Sequence, residues 1–275
     1  MELRGKVMMP DIEKYLARIG IAGMEPPTAD FLARLQEAHL RTVPYENCEI
    51  FFEKRVPSLE PEKLYEKIVD RGRGGYCFEL NGAFALLLTG CGFAFTESFA
   101  RWCFGEKTPL PPRRHRVLLV RIGNETWIAD AGIGSPCPLT PLRLETDVIQ
   151  ERNGLKFRIL RDPLHGFLVQ RETPEGFVNY YSFWETPHFA QDFLYVNYYC
   201  ATEENSFFRT HLLVNLPAAD GRRSVFMDPG DPEGKGFIFR RERPGLPPLE
   251  RKISRSDEKT LAALLSEHFS IELAD

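Results

Sequence analysis

The 275-residue chain predicts a mixed α+β fold. Three observations carry that expectation. Up to about residue 90, apolar residues recur at helical spacing between proline and glycine stops. From about residue 93 the chain changes to short β-branched and aromatic runs, separated by turns rich in Gly, Pro, Asp and Asn. One further amphipathic helix closes it. A helical third followed by many short strands suggests a barrel or sandwich packed against a helical unit.

Residues 11–19 form the first amphipathic helix and stop at Gly20. Pro26-Pro27-Thr28 supplies a break and then an N-cap for a helix with Phe31, Leu32, Leu35 and Ala38 on one side. His39 falls at the end of that helix and reads as a structural histidine, where the dipole favours imidazolium. Pro44 ends the helix, and residues 45–52 read as an irregular or short extended link. Pro61 opens a helix over 62–69, which leads into Arg71-Gly-Arg-Gly-Gly-Tyr-Cys77. After Cys77 the positions Phe78, Leu80, Ala83, Phe84, Leu87 and Leu88 keep helical spacing as far as Gly90 or Gly92, where a left-handed cap fits. Strands are expected over 117–122, 126–130, 157–160, 166–170, 177–183, 207–216, 224–227 and 236–239. Gly123-Asn124 reads as a two-residue hairpin turn. In the final helix Ser256 is the expected N-cap, with Leu261, Leu264, Leu265 and Phe269 inward.

Composition excludes several classes. The chain is 43% hydrophobic and 27% charged, which suits a globular protein with a substantial core. A net charge of −4 and a pI near 6.0 give no electrostatic footprint for nucleic acid. No apolar run approaches the roughly 20 residues that span a bilayer. Met1-Glu-Leu-Arg-Gly-Lys has no apolar signal core, so a cytoplasmic location is expected. The six cysteines (48, 77, 91, 103, 137 and 200) are scattered without a C-x-x-C pair, which argues against zinc and against a disulfide scaffold.

Cys77 is the candidate nucleophile. It sits in the first turn of a buried helix, where free N–H groups and the positive end of the dipole favour thiolate. A catalytic thiol needs a base and a group to orient that base. Among the six histidines, only His115 opens a strand that a tight hairpin connects to a strand ending in a carboxylate. Pairing Ile122 with Glu125 puts Asp130 diagonal to His115 on one face. Asp130 can then fix the tautomer of His115, leaving the second ring nitrogen for Cys77. Taken singly, Cys77 reads equally as a core thiol, His115 as a strand-start residue among arginines and Asp130 as a turn residue. Their coincidence at hairpin spacing favours the catalytic reading.

At these residues the chain resembles the arylamine N-acetyltransferases over nearly its whole length. The resemblance runs through Tyr15-Leu-Ala-Arg-Ile-Gly20, His39 with Val43-Pro-Tyr-Glu-Asn47, and Arg73-Gly-Gly-Tyr-Cys77-Phe-Glu-Leu-Asn81. It continues through His115-Arg-Val-Leu-Leu-Val120, Ile128-Ala-Asp130-Ala-Gly-Ile-Gly134 and Pro138-Leu-Thr-Pro-Leu142 to the final helix. The resemblance implies three parts: a helical bundle over 1–90 carrying Cys77, a β-barrel over 91–205 carrying His115 and Asp130, and an α/β lid over 206–275. It also implies a cysteine-peptidase-like catalytic core.

The implied reaction is ping-pong acetyl transfer. Cys77 takes an acetyl group from acetyl-CoA as a thioester and passes it to an arylamine, hydrazine or hydroxylamine. His115 is the implied base and Asp130 its orienting partner. Acetyl-CoA enters as co-substrate, with no resident cofactor and no metal. Tyr45 and Ile133 match pocket positions where the family usually carries phenylalanine, so they bear on acceptor preference. Pro112, in the segment before His115, matches the approach to the CoA pantetheine, and Gly134-Ser135 matches a loop near its phosphates. Lys107, Arg113 and Arg114 are charges that could reach the 3′-phosphate or be solvated. Arg73 and Glu46 read as a pair bracing the glycine loop. The same Cys-His-Asp order also suits an amide synthase, a cysteine peptidase or a transglutaminase-like enzyme. A silent binding protein predicts a Cys77 no more reactive than the other thiols.

Overall fold

In the computed structural model, residues 10–134, 136–231, 234 and 236–273 are described. The chain opens with α1 (Ile12–Arg18) and α2 (Ala29–Thr42). Thr28 caps α2 as expected, its hydroxyl accepting the Phe31 N–H at 3.2 Å. A two-residue strand β1 (Tyr45–Glu46) and the turn α3 (Cys48–Phe51) replace the irregular link. Next comes α4 (Pro61–Tyr65), which widens into a π-helical turn over Glu66–Asp70 as Lys67 turns inward to Glu79. Then α5 (Cys77–Gly90) begins at Cys77, and the left-handed residue beyond it is Gly92, at φ +78.

Eight strands form one strongly curved antiparallel sheet: β2 (Ala94–Trp102), β3 (Arg113–Ile122), β4 (Glu125–Ala129), β5 (Leu142–Arg143), β6 (Ile149–Arg152), β7 (Leu155–Asp162), β8 (Gly166–Thr173) and β9 (Gly176–Phe183). Their order is β5-β4-β3-β2-β9-β8-β7-β6. The side chain of Gln150 on β6 bonds both backbone groups of Arg143 on β5, at 2.9 and 2.8 Å, so the outermost strands meet and the sheet is a nearly closed barrel. The β3–β4 hairpin has the expected register, Ile122 opposite Glu125, and Gly123 takes φ +58 in its turn.

After the barrel come α6 (Asp192–Thr202) and α7 (Phe207–Thr210). A second sheet follows, ordered β1-β10-β11-β12-β13, with β10 (Leu213–Leu216), β11 (Arg222–Met227), β12 (Phe237–Glu242) and β13 (Leu249–Ile253). The closing helix α8 (Glu258–Phe269) packs Leu261, Leu264, Leu265 and Phe269 onto it. Three expectations are corrected. The run 207–216 is a helical turn and then a strand, because the Asn47 amide takes the carbonyls of Phe208 and His211 and the N–H of Leu213, all at 2.8 Å, and fixes a corner there. The cap of α8 is Asp257 rather than Ser256, its carboxylate accepting the Thr260 N–H at 3.1 Å. β2, β5, β6, α6 and β13 appear where no element was expected. The α6 side chains Phe193, Cys200 and Ala201 join Phe78 and Leu80 of α5 in the helical core.

Candidate active site

The glycine loop delivers Cys77. Gly74 passes so close to the Pro44 carbonyl that any Cβ there would collide with it. The Glu46 N–H bonds the Gly75 carbonyl at 2.8 Å. Arg73 braces the loop from beneath, its guanidinium 2.9 Å from the buried Glu46 carboxylate, as the sequence suggests. In α5, Glu79 reaches back to the Tyr76 N–H at 3.1 Å and is itself paired with buried Lys67 at 2.6 Å. These contacts fix the helix start, and with it the sulfur, within a buried framework.

Opposite the thiol stands the β3–β4 hairpin. His115, on β3 beside Ala100 of β2, is buried, and its Nε2 lies 2.6 Å from Asp130 Oδ2. That contact leaves Nδ1 for proton exchange. Asp130, just past β4, is held on every side: Oδ1 accepts from Asn81 Nδ2 at 2.9 Å and from the Gly132 N–H at 3.0 Å. Its own N–H donates to Gln36 Oε1 at 3.0 Å. Asn81 sits one helical turn beyond Cys77 and also accepts the Ala131 N–H at 2.8 Å. A Cβ on Gly132 would stand 2.9 Å from the Cys77 Cα and carbonyl oxygen, so only glycine allows this approach.

Cys77 and His115 open onto one cavity of about 370 Å³, with Tyr45, Ile133 and Gly134 also in its wall. Gly134 seats on the Tyr45 ring, where a Cβ would fall 2.7 Å from Cδ1. Trp102, Phe104, Phe207, Phe208 and Leu213 complete an aromatic and aliphatic lining, and Arg114, ion-paired with Glu106, stands at the rim. Pro112 is exposed and stands outside that wall. Ser135 lies outside the described residues. Trp102, Phe104, Phe207, Phe208 and Leu213 of the lining, and the amides of Gln36 and Asn81, were not singled out from sequence. Asn81 alone carried a signal, as the last position of the cysteine motif.

Electrostatics modify two expectations. Burial pushes the Cys77 thiol well above its ordinary value, and Cys200 and Asp130 push the same way; the Phe78 N–H opposes them. A helix start therefore does not by itself make this sulfur a thiolate, because desolvation outweighs one backbone donor. His39 is structural as expected, with Tyr15 Oη 3.0 Å from its Nε2, but it is neutral rather than charged. Burial, with Arg18 nearby, takes its pKa from 6.5 to about 3. Among the described residues, no group of three or more His, Cys, Asp or Glu is arranged to hold a metal ion.

A thiol at a helix start beside a histidine on a barrel fits the cysteine-peptidase-like core that the resemblance implies, and known proteins share the overall fold. A family model described as N-acetyltransferase matches residues 28–275. The arylamine N-acetyltransferase of Mycobacterium tuberculosis is 36% identical over 180 residues, which is 64% of this chain and 63% of that relative, so the match spans less than two thirds of its length. The solved structure of the M. tuberculosis arylamine N-acetyltransferase superposes with a TM-score of 0.82 at 30% identity, over 95% of this chain and 94% of that one. The Mycobacterium marinum arylamine N-acetyltransferase solved in complex with CoA gives 0.81 at 29%, over 95% and 93%. With the family model matching residues 28–275 and the fold shared over 95% of its length, the chain belongs to the arylamine N-acetyltransferase family.

Proposed function

We propose that this protein transfers an acetyl group from acetyl-CoA to an arylamine, arylhydrazine or N-hydroxyarylamine by a ping-pong route through a thioester on Cys77. The observation that carries the reading is the opening of Cys77 and the Asp130-bound His115 onto one apolar cavity. Nδ1 of His115 takes the Cys77 proton, and the thiolate attacks the thioester carbonyl. The carbon–sulfur bond to CoA breaks, and CoA leaves with the proton returned by the imidazolium. Exchange between two thioesters is nearly thermoneutral, so the acyl-enzyme is neither a trap nor a barrier. A weakly basic aromatic amine, neutral at pH 7, then attacks the acetyl carbonyl. His115 accepts the amine proton as Cys77 is expelled. Asp130 holds the imidazole in the tautomer this requires and stabilises its charged form.

The cavity suits a flat aromatic acceptor. Trp102, Phe104 and Phe208 supply ring faces and edges, while Ile133 offers a flat aliphatic wall without a stacking partner. The M. tuberculosis relative, an arylamine N-acetyltransferase, supports an arylamine acceptor, and the M. marinum complex supports CoA as the acyl carrier. The test is initial-rate kinetics with acetyl-CoA and an aminobenzoate both varied. Parallel double-reciprocal lines and an N-acetylated product are expected, with no product from Cys77→Ser. Intersecting lines, or product formation by Cys77→Ser, contradicts the proposal.

A further inference from the structure

Gln36 stands on α2, and no α2 residue is among those lining the cavity. Its side chain is fully buried, and both ends of its amide are used across the fold. Oε1 accepts the Asp130 N–H at 3.0 Å and Nε2 donates to the Pro138 carbonyl at 3.2 Å. The segment between those anchors carries Asp130, the Gly132 that lies against Cys77, and Ile133 and Gly134 of the cavity wall. The helix itself straddles two cores: Phe31, Leu32 and Leu35 belong to the helical core that contains Cys77, and Leu40 to the barrel core. Asn81 orients the Asp130 carboxylate from α5, and Gln36 holds the Asp130 backbone from α2.

We propose that Gln36 is a positioning residue for the His115–Asp130 pair, clamping the Asp130–Pro138 segment so that the carboxylate meets Nε2 of His115. The proposal takes its kinetic readout from the acyl-transfer reading above, so a second readout independent of acetyl-CoA accompanies it. A neutral glutamic acid at position 36 reproduces both bonds, one oxygen accepting from Asp130 and the O–H donating to Pro138. An ionised one loses the donor. Burial raises the pKa of such a carboxyl into the working range. For Gln36→Glu, the rate of Cys77 acetylation relative to the native protein should stay near one at low pH and fall about tenfold or more as pH rises. Gln36→Met, which loses both bonds and adds no charge, should fall about 10- to 100-fold at every pH, with the KM for acetyl-CoA unchanged. The pH profile of Cys77 alkylation should shift in parallel in both variants. A Gln36→Glu ratio that is flat with pH overturns the proposal, whether or not Gln36→Met folds, and so does a folded Gln36→Met with native rates. If the native protein takes no acetyl group, the acyl-transfer reading fails alone, and the alkylation profiles still decide the role of Gln36.

Discussion

Burial and ion pairing pull Cys77 in opposite directions. A buried thiol surrounded by Cys200 and Asp130 resists ionisation, and one backbone N–H does not reverse that. The proposed mechanism requires an imidazolium on His115 to offset that, because attraction between opposite charges is strongest where water is excluded. The native protein should therefore be alkylated at Cys77 well below the free-thiol pKa of about 8.5, and His115→Ala should require pH above it, since burial is then unopposed. Iodoacetamide rates across pH measure both; coincident profiles contradict the pairing. Asp130→Asn should lower the acetylation rate by about 10²–10⁴, by favouring the wrong tautomer of His115. The meeting of Cys77, His115 and Asp130 was legible in the sequence because the cysteine lies in a distinctive loop and the other two share a hairpin whose register the turn fixes. Gln36 was not legible. An amide on an apolar helix face carries no local mark of partners 94 and 102 positions away.

The glycine loop and α5 together present Cys77, and the 130–134 turn is shaped to their surface. Gly132→Ala would force a Cβ to within 2.9 Å of the Cys77 Cα, so it should displace the sulfur as well as strain the fold. The expected cost is about 1–3 kcal/mol of stability with a larger loss of acetylation rate, read by denaturant titration and single-turnover kinetics. Native acetylation in a folded Gly132→Ala would contradict this close fit. Arg73→Met should cost about 1.5–3 kcal/mol, because it removes one charged hydrogen bond from the buried Glu46 carboxylate, which keeps Lys67 nearby and the Cys48 N–H at 2.8 Å. Helices α1, α2 and α5 were legible from their period and punctuation. α6 was not, since Asp-Phe-Leu-Tyr-Val-Asn-Tyr-Tyr mixes aromatic and β-branched residues of low helix propensity and leaves Tyr195 82% exposed. β2 was hidden for a related reason. Phe95 and Phe99 alternate with Thr96 and Ser98 but share their face with Glu97, so no clean two-residue period shows.

Buried polar groups tie the elements together, and one of them, His39 within the helical part, makes the fold sensitive to acid. His39 joins α2 to α1 through Tyr15 and is held neutral by burial. Its pKa in the fold is depressed from 6.5 to about 3, so its contribution is complete above pH 6.5 and is lost as pH falls toward 3. Between pH 7 and 5 this one group should remove about 2 kcal/mol. Gln at position 39 keeps an acceptor for Tyr15 and should abolish that slope in urea unfolding; an unchanged slope would clear His39 of the role. The layered architecture was legible in outline, as helices, then short strands, then a helix. The strand pattern left barrel and sandwich open, and the resemblance implied the barrel; the contact that nearly closes it, the Gln150 side chain meeting Arg143, carries no mark in the sequence. The account as a whole depends on Cys77 carrying an acetyl group between two partners. Intact-mass analysis after mixing with acetyl-CoA, followed by peptide mapping, tests that most directly. One acetyl adduct on Cys77 is expected, absent from Cys77→Ser, slow to form in His115→Ala and discharged by an aminobenzoate. No adduct, or an adduct on another residue, contradicts the account.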